Sequence, residues 1–202
     1  MAFRPIDPCT MLSPVPAVMV SCKGLEESAK PNIITVAWAG TVNSTPPMVS
    51  VSIRKERHSH DIIAQSGEFV VNLVDAQHCK ELDWCGVKSG KDFDKFATLH
   101  LTPVPALGLD TAPAIGECPA YLSCKVRQVI ELGSHDLFLG EVVGVGVQDA
   151  LFDDTGALHL EQANLVCYNH GVYQQATDVL GFFGYSIARE DVLARRMAQY
   201  KK

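Results

Sequence analysis

Apolar and polar residues alternate with period two over several stretches, and short apolar runs are broken by turn residues, so the chain reads as mainly β with added helices. Between residues 33 and 42 one face carries Ile34, Val36, Trp38 and Val42, and the other carries Thr35, Ala37, Ala39 and Thr41. A turn over 43–47 leads to a second strand, 48–54, with Val49, Val51 and Ile53 on one side and Ser50, Ser52 and Arg54 on the other. Ser59 is expected to cap a brief helix that runs to Ser66, with Asp61 in its first turn and Gly67 as its stop. FVVNLV, residues 69–74, has the unbroken apolar character of a buried strand.

A second strand pair follows, in which 121–132 and 137–147 flank a four-residue hairpin signal over 133–136. Leu122, Cys124 and Val126 share a face, but the apolar phase slips at Gln128, which predicts a bulge. Gly140, Gly144 and Gly146 fall on one face of the second arm, where a sharp bend of a curling sheet is expected ahead of a close backbone approach. Leu193, Met197 and Tyr200 recur at helical spacing behind Glu190 and Asp191, predicting a helix that closes the chain. With no internal repeat or linker, residues 1–202 are expected to form a single domain.

Composition narrows the partners. A hydrophobic content of 47% in 202 residues fits an ordered globular protein. A net charge of -6 without a basic block argues against nucleic acid, so any anion has to be held by local groups. The 7 cysteines form an odd count with no CxxC pair, which indicates neither a disulfide framework nor a zinc knuckle and suits a reducing cytoplasm. Acidic and proline residues interrupt MAFRPIDPCTMLSPVPAVMV where a signal peptide needs an apolar core, and no run is long enough to cross a membrane. The expectation is a cytoplasmic protein with no membrane partner.

Two features suggest chemistry. If the rows Thr35, Ala37, Ala39 and Ser50, Ser52, Arg54 share a face, they make a low surface of donors and acceptors suited to a planar polar ring, with the arginine at one end for an anion; the alternative is an ordinary solvated sheet face. Residues 85–96, CGVKSGKDFDKF, combine the Ser89–Gly90 turn with Lys91, the elements of a phosphate nest, although the stretch is not GxxxxGK[ST]. His58 and His60 lack the further ligands a metal needs, so no metal site is expected. Cys85 reads either as a thiol activated by nearby lysines or as a small buried hydrophobe. Neither GxSxG nor HExxH occurs.

The run NIITVAWAGTVNSTPPMVSVSIRKERHSHDIIAQSGEFVVNLV followed by CGVKSGKDFDKF resembles the flavin reductase-like family of FMN-binding split barrels, which includes flavoredoxins. The likeness spans about residues 13 to 185, with separated motifs in the same order. It implies a six-stranded antiparallel Greek-key barrel, a homodimer, and non-covalent FMN near the subunit interface. It also implies an NAD(P)H-dependent flavin or ferric reductase that takes electrons from NADH or NADPH and gives them to a small-molecule acceptor, with no side chain in a catalytic role. The alternatives are a flavoredoxin-type carrier serving an electron-transfer protein partner, and a non-catalytic split barrel that binds flavin or haem. By resemblance Thr35, Val36, Ala37, Trp38, Ser50, Val51, Ser52 and Arg54 line the flavin, while Ser59, Ser89, Gly90 and Lys91 hold its phosphate beside His58 and Cys85. Lys91, supported by Arg54, is the expected phosphate ligand, with Lys88 pointing to solvent. With one compact phosphate loop and no GxGxxG, FMN is expected in place of FAD.

Overall fold

A computed structural model describes residues 1–200. In chain order the elements are β1 (Val15–Pro16), β2 (Val18–Cys22), β3 (Asn32–Val36), β4 (Ala39–Ser44), β5 (Pro47–Arg54), α1 (His58–Ser66), β6 (Glu68–Leu73), α2 (Cys79–Val87), α3 (Lys95–Leu99), β7 (Pro103–Val104), β8 (Ala114–Ile115), β9 (Ala120–Glu131), β10 (His135–Val147), β11 (Val166–Asn169), β12 (Val172–Gln175) and α4 (Glu190–Ala198).

The main sheet has seven strands, one more than expected, in the order β3-β2-β6-β9-β10-β5-β4, and every neighbour is antiparallel. Its outermost strands, β3 and β4, are consecutive in sequence and separated by Ala37 and Trp38 alone. Three Cα–Cα steps reach at most about 11 Å, whereas a flat seven-stranded sheet is about 29 Å wide. The sheet is therefore curled until its edges meet, and the link runs across the seam. The single strand expected over 33–42 is two, because this bend interrupts it.

The barrel interior is filled from alternate positions: Val18, Val20 and Cys22 of β2, Ile34 and Val36 of β3, Val49, Val51 and Ile53 of β5, Phe69 and Val71 of β6, Cys124 and Phe138, with Ile63 of α1 as a plug. Each large aliphatic or aromatic side chain withdrawn in this way contributes about 1.5–3 kcal/mol. The opposite faces of β2 and β3 bury Met19 and Ile33 against Leu82 and Cys85 of α2 and Phe96 of α3. This second layer positions the loop between α2 and α3 beside β3.

Several expectations are met and several corrected. The β9–β10 register slips between Leu139 and Gly140, opposite Gln128 and Val126, where the apolar phase predicts a bulge. Close approach, not bending alone, explains the glycines of β10: a Cβ on Gly140 would stand 2.5 Å from Phe69 Cζ, and one on Gly144 2.5 Å from the Leu107 carbonyl oxygen. Gly67 ends α1 in the left-handed region (φ 69°) as predicted. Ser59 is not the cap, since Arg57 holds that position and Ser59 lies fully buried in the first turn. α4 forms with no buried residue, so its apolar stripe covers the protein only partly.

Candidate functional site

The barrel seam, the first turn of α1 and the α2–α3 loop enclose a cavity of about 260 Å³. Its wall is made by Asn32 and Ile34 from β3, Glu56, Arg57, His58 and Ser59 at and before the start of α1, Cys85, Lys88, Ser89 and Gly90 from the end of α2 and its loop, and Lys95 at the start of α3. The start of α1, the positive end of its dipole, borders a wall that carries three cationic side chains and one carboxylate, Glu56.

Lys95 is the least ordinary of these groups. Its side chain is buried, and Nζ donates to the carbonyl oxygens of Ile33 and Cys85, each at 2.7 Å. An ammonium has three donors, so these bonds leave one over. No ion pair among the described residues involves Lys95. Burial drives its pKa below the usual lysine value, with the nearby Arg57 adding to the fall. His58 is likewise held down, first by burial and then by Lys91 and Lys95, which favours neutral imidazole. Opposite them, Asn32 Nδ2 donates to Ser59 Oγ at 2.8 Å. A Cβ on Gly90 would stand 2.5 Å from Asn32 Cγ and closer still to its oxygen, so the loop can lie on this amide only as glycine.

The basic cavity shares Ile34 and Arg57 with a second one of about 160 Å³, formed at the seam by Thr35, Val36, Ala37, Trp38, Ser52, Ile53, Arg54 and His135. The rings of Trp38 and His135 meet there at a tilt of 41°, with centroids 4.6 Å apart. Ala37, Trp38 and Ser52 continue into a wider recess of about 430 Å³ with Ala39, Gly40 and Ser50, roofed by Cys9, Thr10, Met11 and Leu12 of the N-terminal segment. The result is a row of adjoining cavities along one groove, with a basic end and an aromatic end.

Residues 11–177 match the family model described as the flavin reductase like domain. The chain belongs to the flavin reductase-like family. Among solved structures it is similar to the flavoredoxin of Desulfovibrio vulgaris (Miyazaki F), with 29% identity, a TM-score of 0.85 and coverage of 93% of this chain and all of that one. It is 36% identical over 124 residues to an uncharacterised protein of Archaeoglobus fulgidus, covering 61% of this chain and 70% of that protein. It is also 28% identical over 116 residues to the reductase component of a 4-nitrophenol 4-monooxygenase/4-nitrocatechol 2-monooxygenase from Rhodococcus opacus, spanning 54% of this chain and 55% of that component.

Within this family member, most of the residues singled out from sequence converge on the groove, but not as two matching rows. The β4–β5 register pairs Ala39 with Val51 and Gly40 with Ser50, so past the bend at 37–38 Ala39 packs against the core, although the residue still borders the recess with Ser50 and Ser52. Thr35 turns toward α2, where Oγ1 donates to the Leu82 carbonyl. The Val51 side chain lies wholly in the core and lines none of these cavities, and that of Val36 is also buried in the core although the residue borders the seam. Cys85 is buried and its thiol pushed up to about 11 by burial, an environment that disfavours the thiolate. Arg54 sits at the aromatic end, 3.6 Å from Glu56, rather than beside the loop. Lys91 lines a different cavity beyond Gly90, while Lys88, exposed but not simply pointing away, lines the basic one.

Sequence reasoning missed Asn32, Arg57 and Lys95. Asp94 accepts from Ala97 N at 3.1 Å and so caps α3, which places Lys95 in the first turn. A lysine is electrostatically disfavoured there. That misplacement was the available signal that Lys95 serves something other than the helix.

Proposed function

We propose that this protein is a flavoprotein oxidoreductase that binds FMN along the seam groove and uses it as an NAD(P)H-dependent flavin or ferric reductase. The observation that carries the reading is Lys95: a buried cation with two carbonyl acceptors and no carboxylate partner lacks a counter-anion, and a flavin phosphate supplies one. Arg57, Lys88, Ser59 and the N–H groups at Ser89 and Gly90 complete a short-range anion site, as an acidic chain requires. In this reading Lys91 and Arg54 are not the phosphate ligands. The ring then extends past Thr35, Ala37 and Ser52 toward Trp38, whose 44% exposure leaves an aromatic face for a nicotinamide or an acceptor.

When bound, FMN supplies the hydride and electron chemistry. The protein orients it, excludes water and offsets the phosphate charge. No side chain is assigned an acid or base role. Leu180 and Phe183 are exposed at 85% and 104%, which supports a homodimer covering them, checked by light scattering at micromolar protein.

A second reading, a flavoredoxin-type carrier that exchanges electrons with a protein partner and has no NAD(P)H turnover of its own, is favoured by the likeness to flavoredoxin over 93% of this chain. The test is an absorption spectrum of the purified protein, chromatography of the released cofactor, and steady-state oxidation of NADH and NADPH. Bound FMN with turnover supports the reductase, bound FMN without turnover supports the carrier, and haem or no flavin after reconstitution overturns both.

A further inference from the structure

His60, in the first turn of α1, is held by carboxylates on both sides. Its Nδ1 lies 2.9 Å from Asp61 Oδ1, and its Nε2 lies 2.9 Å from Asp136 Oδ2. Neutral imidazole has one N–H and one lone pair, and an ionised carboxylate only accepts, so both bonds form only when the ring carries two protons. The geometry is that of an imidazolium. With 12% of the side chain exposed, burial opposes this charge, but the bonds to Asp61 and Asp136 outweigh it and hold the pKa above the ordinary histidine value.

This brace joins the two ends of the groove. Asp136 follows His135, which lines the aromatic end, while His60 follows His58 and Ser59, which line the basic cavity, and its own N–H donates to the Arg57 carbonyl at 2.9 Å. Asp136 is buried, and its Oδ1 has no hydrogen bond; the Lys55 ammonium stands 3.5 Å away, in the turn between β5 and α1. Lys55 in turn reaches Glu131 at the end of β9, at 2.6 Å. The Phe138 ring meets His60 edge-on, with centroids 5.3 Å apart, and fixes it from the side. The charged and titratable groups about the ring are thus Arg57, His58 and Asp61 at the start of α1, Asp136 from β10, and Lys55 and Glu131 behind Asp136.

We propose that His60 is a positioning residue for the flavin phosphate, and that the site binds FMN best when this ring is doubly protonated. The inference rests on the flavin reading and deepens it. The imidazolium adds a positive charge at the helix end that borders the phosphate, and its two bonds hold that turn against β10. When the ring loses a proton, the buried Asp136 keeps the remaining N–H, and the lone pair is left facing Asp61, which is 76% exposed and turns to water. The turn carrying Arg57, His58 and Ser59 then has one charge fewer and one brace fewer. FMN affinity therefore falls as pH rises through the raised pKa. His58 is held down, so its charge is lost below the ordinary histidine value, and the second ionisation of the phosphate acts with the opposite sign. Lys95 gives a fall of the same sign, which Lys95→Met removes and a change at His60 leaves in place.

The experiment titrates apoprotein with FMN and riboflavin by flavin fluorescence across pH, for wild type, His60→Gln, Asp136→Asn and His159→Gln. Wild-type FMN affinity should fall about three- to ten-fold above the ordinary histidine value, as loss of one charge beside a helix end implies, while riboflavin stays level. His60→Gln should bind FMN at the weaker level throughout, without that step. Asp136→Asn removes a charge that favours the imidazolium and should move the step to lower pH. His159 is the control: Glu161 and Asp153 bridge it in the same way, at 2.9 and 3.0 Å, but it lines none of the groove cavities, so His159→Gln should match wild type. By reciprocity, saturating FMN should raise the His60 midpoint in wild type, followed by NMR of the ring C–H signals, by about half to one pH unit. This arm decides the matter where a variant does not fold. A step that survives in His60→Gln, equal losses of FMN and riboflavin, or a His60 midpoint that FMN leaves unmoved overturns the inference alone. Wild type that binds neither flavin overturns the flavin reading with it.

Discussion

Replacing Lys95 by methionine keeps the length and apolar stem of the side chain and removes the charge, which makes it the sharpest perturbation of the basic cavity. In the wild type Nζ spends two donors on the Ile33 and Cys85 carbonyls at 2.7 Å, and the third can meet a phosphate oxygen. A hydrogen bond involving a charged group is worth about 1.5–3 kcal/mol, so Lys95→Met should weaken FMN by about ten- to a hundred-fold. Riboflavin lacks the phosphate and should bind both proteins almost equally. Lys91→Ala, across the Gly90 partition, should change FMN affinity by less than about three-fold, since exposed charges act weakly through solvent. Titration adds a second signature. Binding needs protonated Lys95, and burial holds its folded pKa below the usual lysine value. Affinity should therefore begin to fall while ordinary lysines are still charged, and Lys95→Met should lack that limb. The assay is quenching of flavin fluorescence for FMN and riboflavin across pH, with circular dichroism to confirm folding. Unchanged FMN affinity in Lys95→Met, or an equal loss of riboflavin, would refute the assignment of the buried ammonium to the phosphate.

Three further outcomes are expected. Gly90→Ala should displace the Asn32 amide from Ser59 and weaken FMN by about ten-fold or more, with a lower melting temperature, because the new Cβ overlaps Asn32. Gly140→Ala should destabilise by about 1–3 kcal/mol in urea unfolding, with Phe69→Leu in the same chain recovering part of the loss. Burial pushes the Glu68 carboxyl up, but donors from Thr111, Asp110 and Ala112 outweigh it and hold its pKa below the ordinary value. Its stabilisation is complete above the ordinary carboxylate pKa and is lost as pH falls through the depressed one. The gap in melting temperature between wild type and Glu68→Gln should accordingly narrow on acidification.

Period-two alternation was enough to recognise β5 and the long β9–β10 pair, and an unbroken apolar run to recognise β6, since these strands bury Val49, Val51, Phe69 and Phe138 in the core. It could not reveal the break between β3 and β4. Trp38 and Val42 continue the apolar row of Ile34 and Val36, and only the closure of the sheet makes a bend necessary there. The same limit governs the site. CGVKSGKDFDKF announces a cationic turn, but choosing among Lys88, Lys91 and Lys95 depends on how α2 and α3 pack on β3. Arg57 and Asn32 carry no local mark at all; they belong to the site because α1 begins where β3 passes.

The link through Ala37 and Trp38 joins the first and last strands of the sheet by covalent bonds where a closed barrel would have a ladder of hydrogen bonds. Such a cylinder can widen along that line without breaking any interstrand pair. A ligand laid across it acts as a clasp, gripping β3 on one side and β5 on the other. Amide hydrogen exchange in β3 and β4 should then slow on flavin binding far more than in β6 and β9, which lie opposite the opening and are paired on both sides.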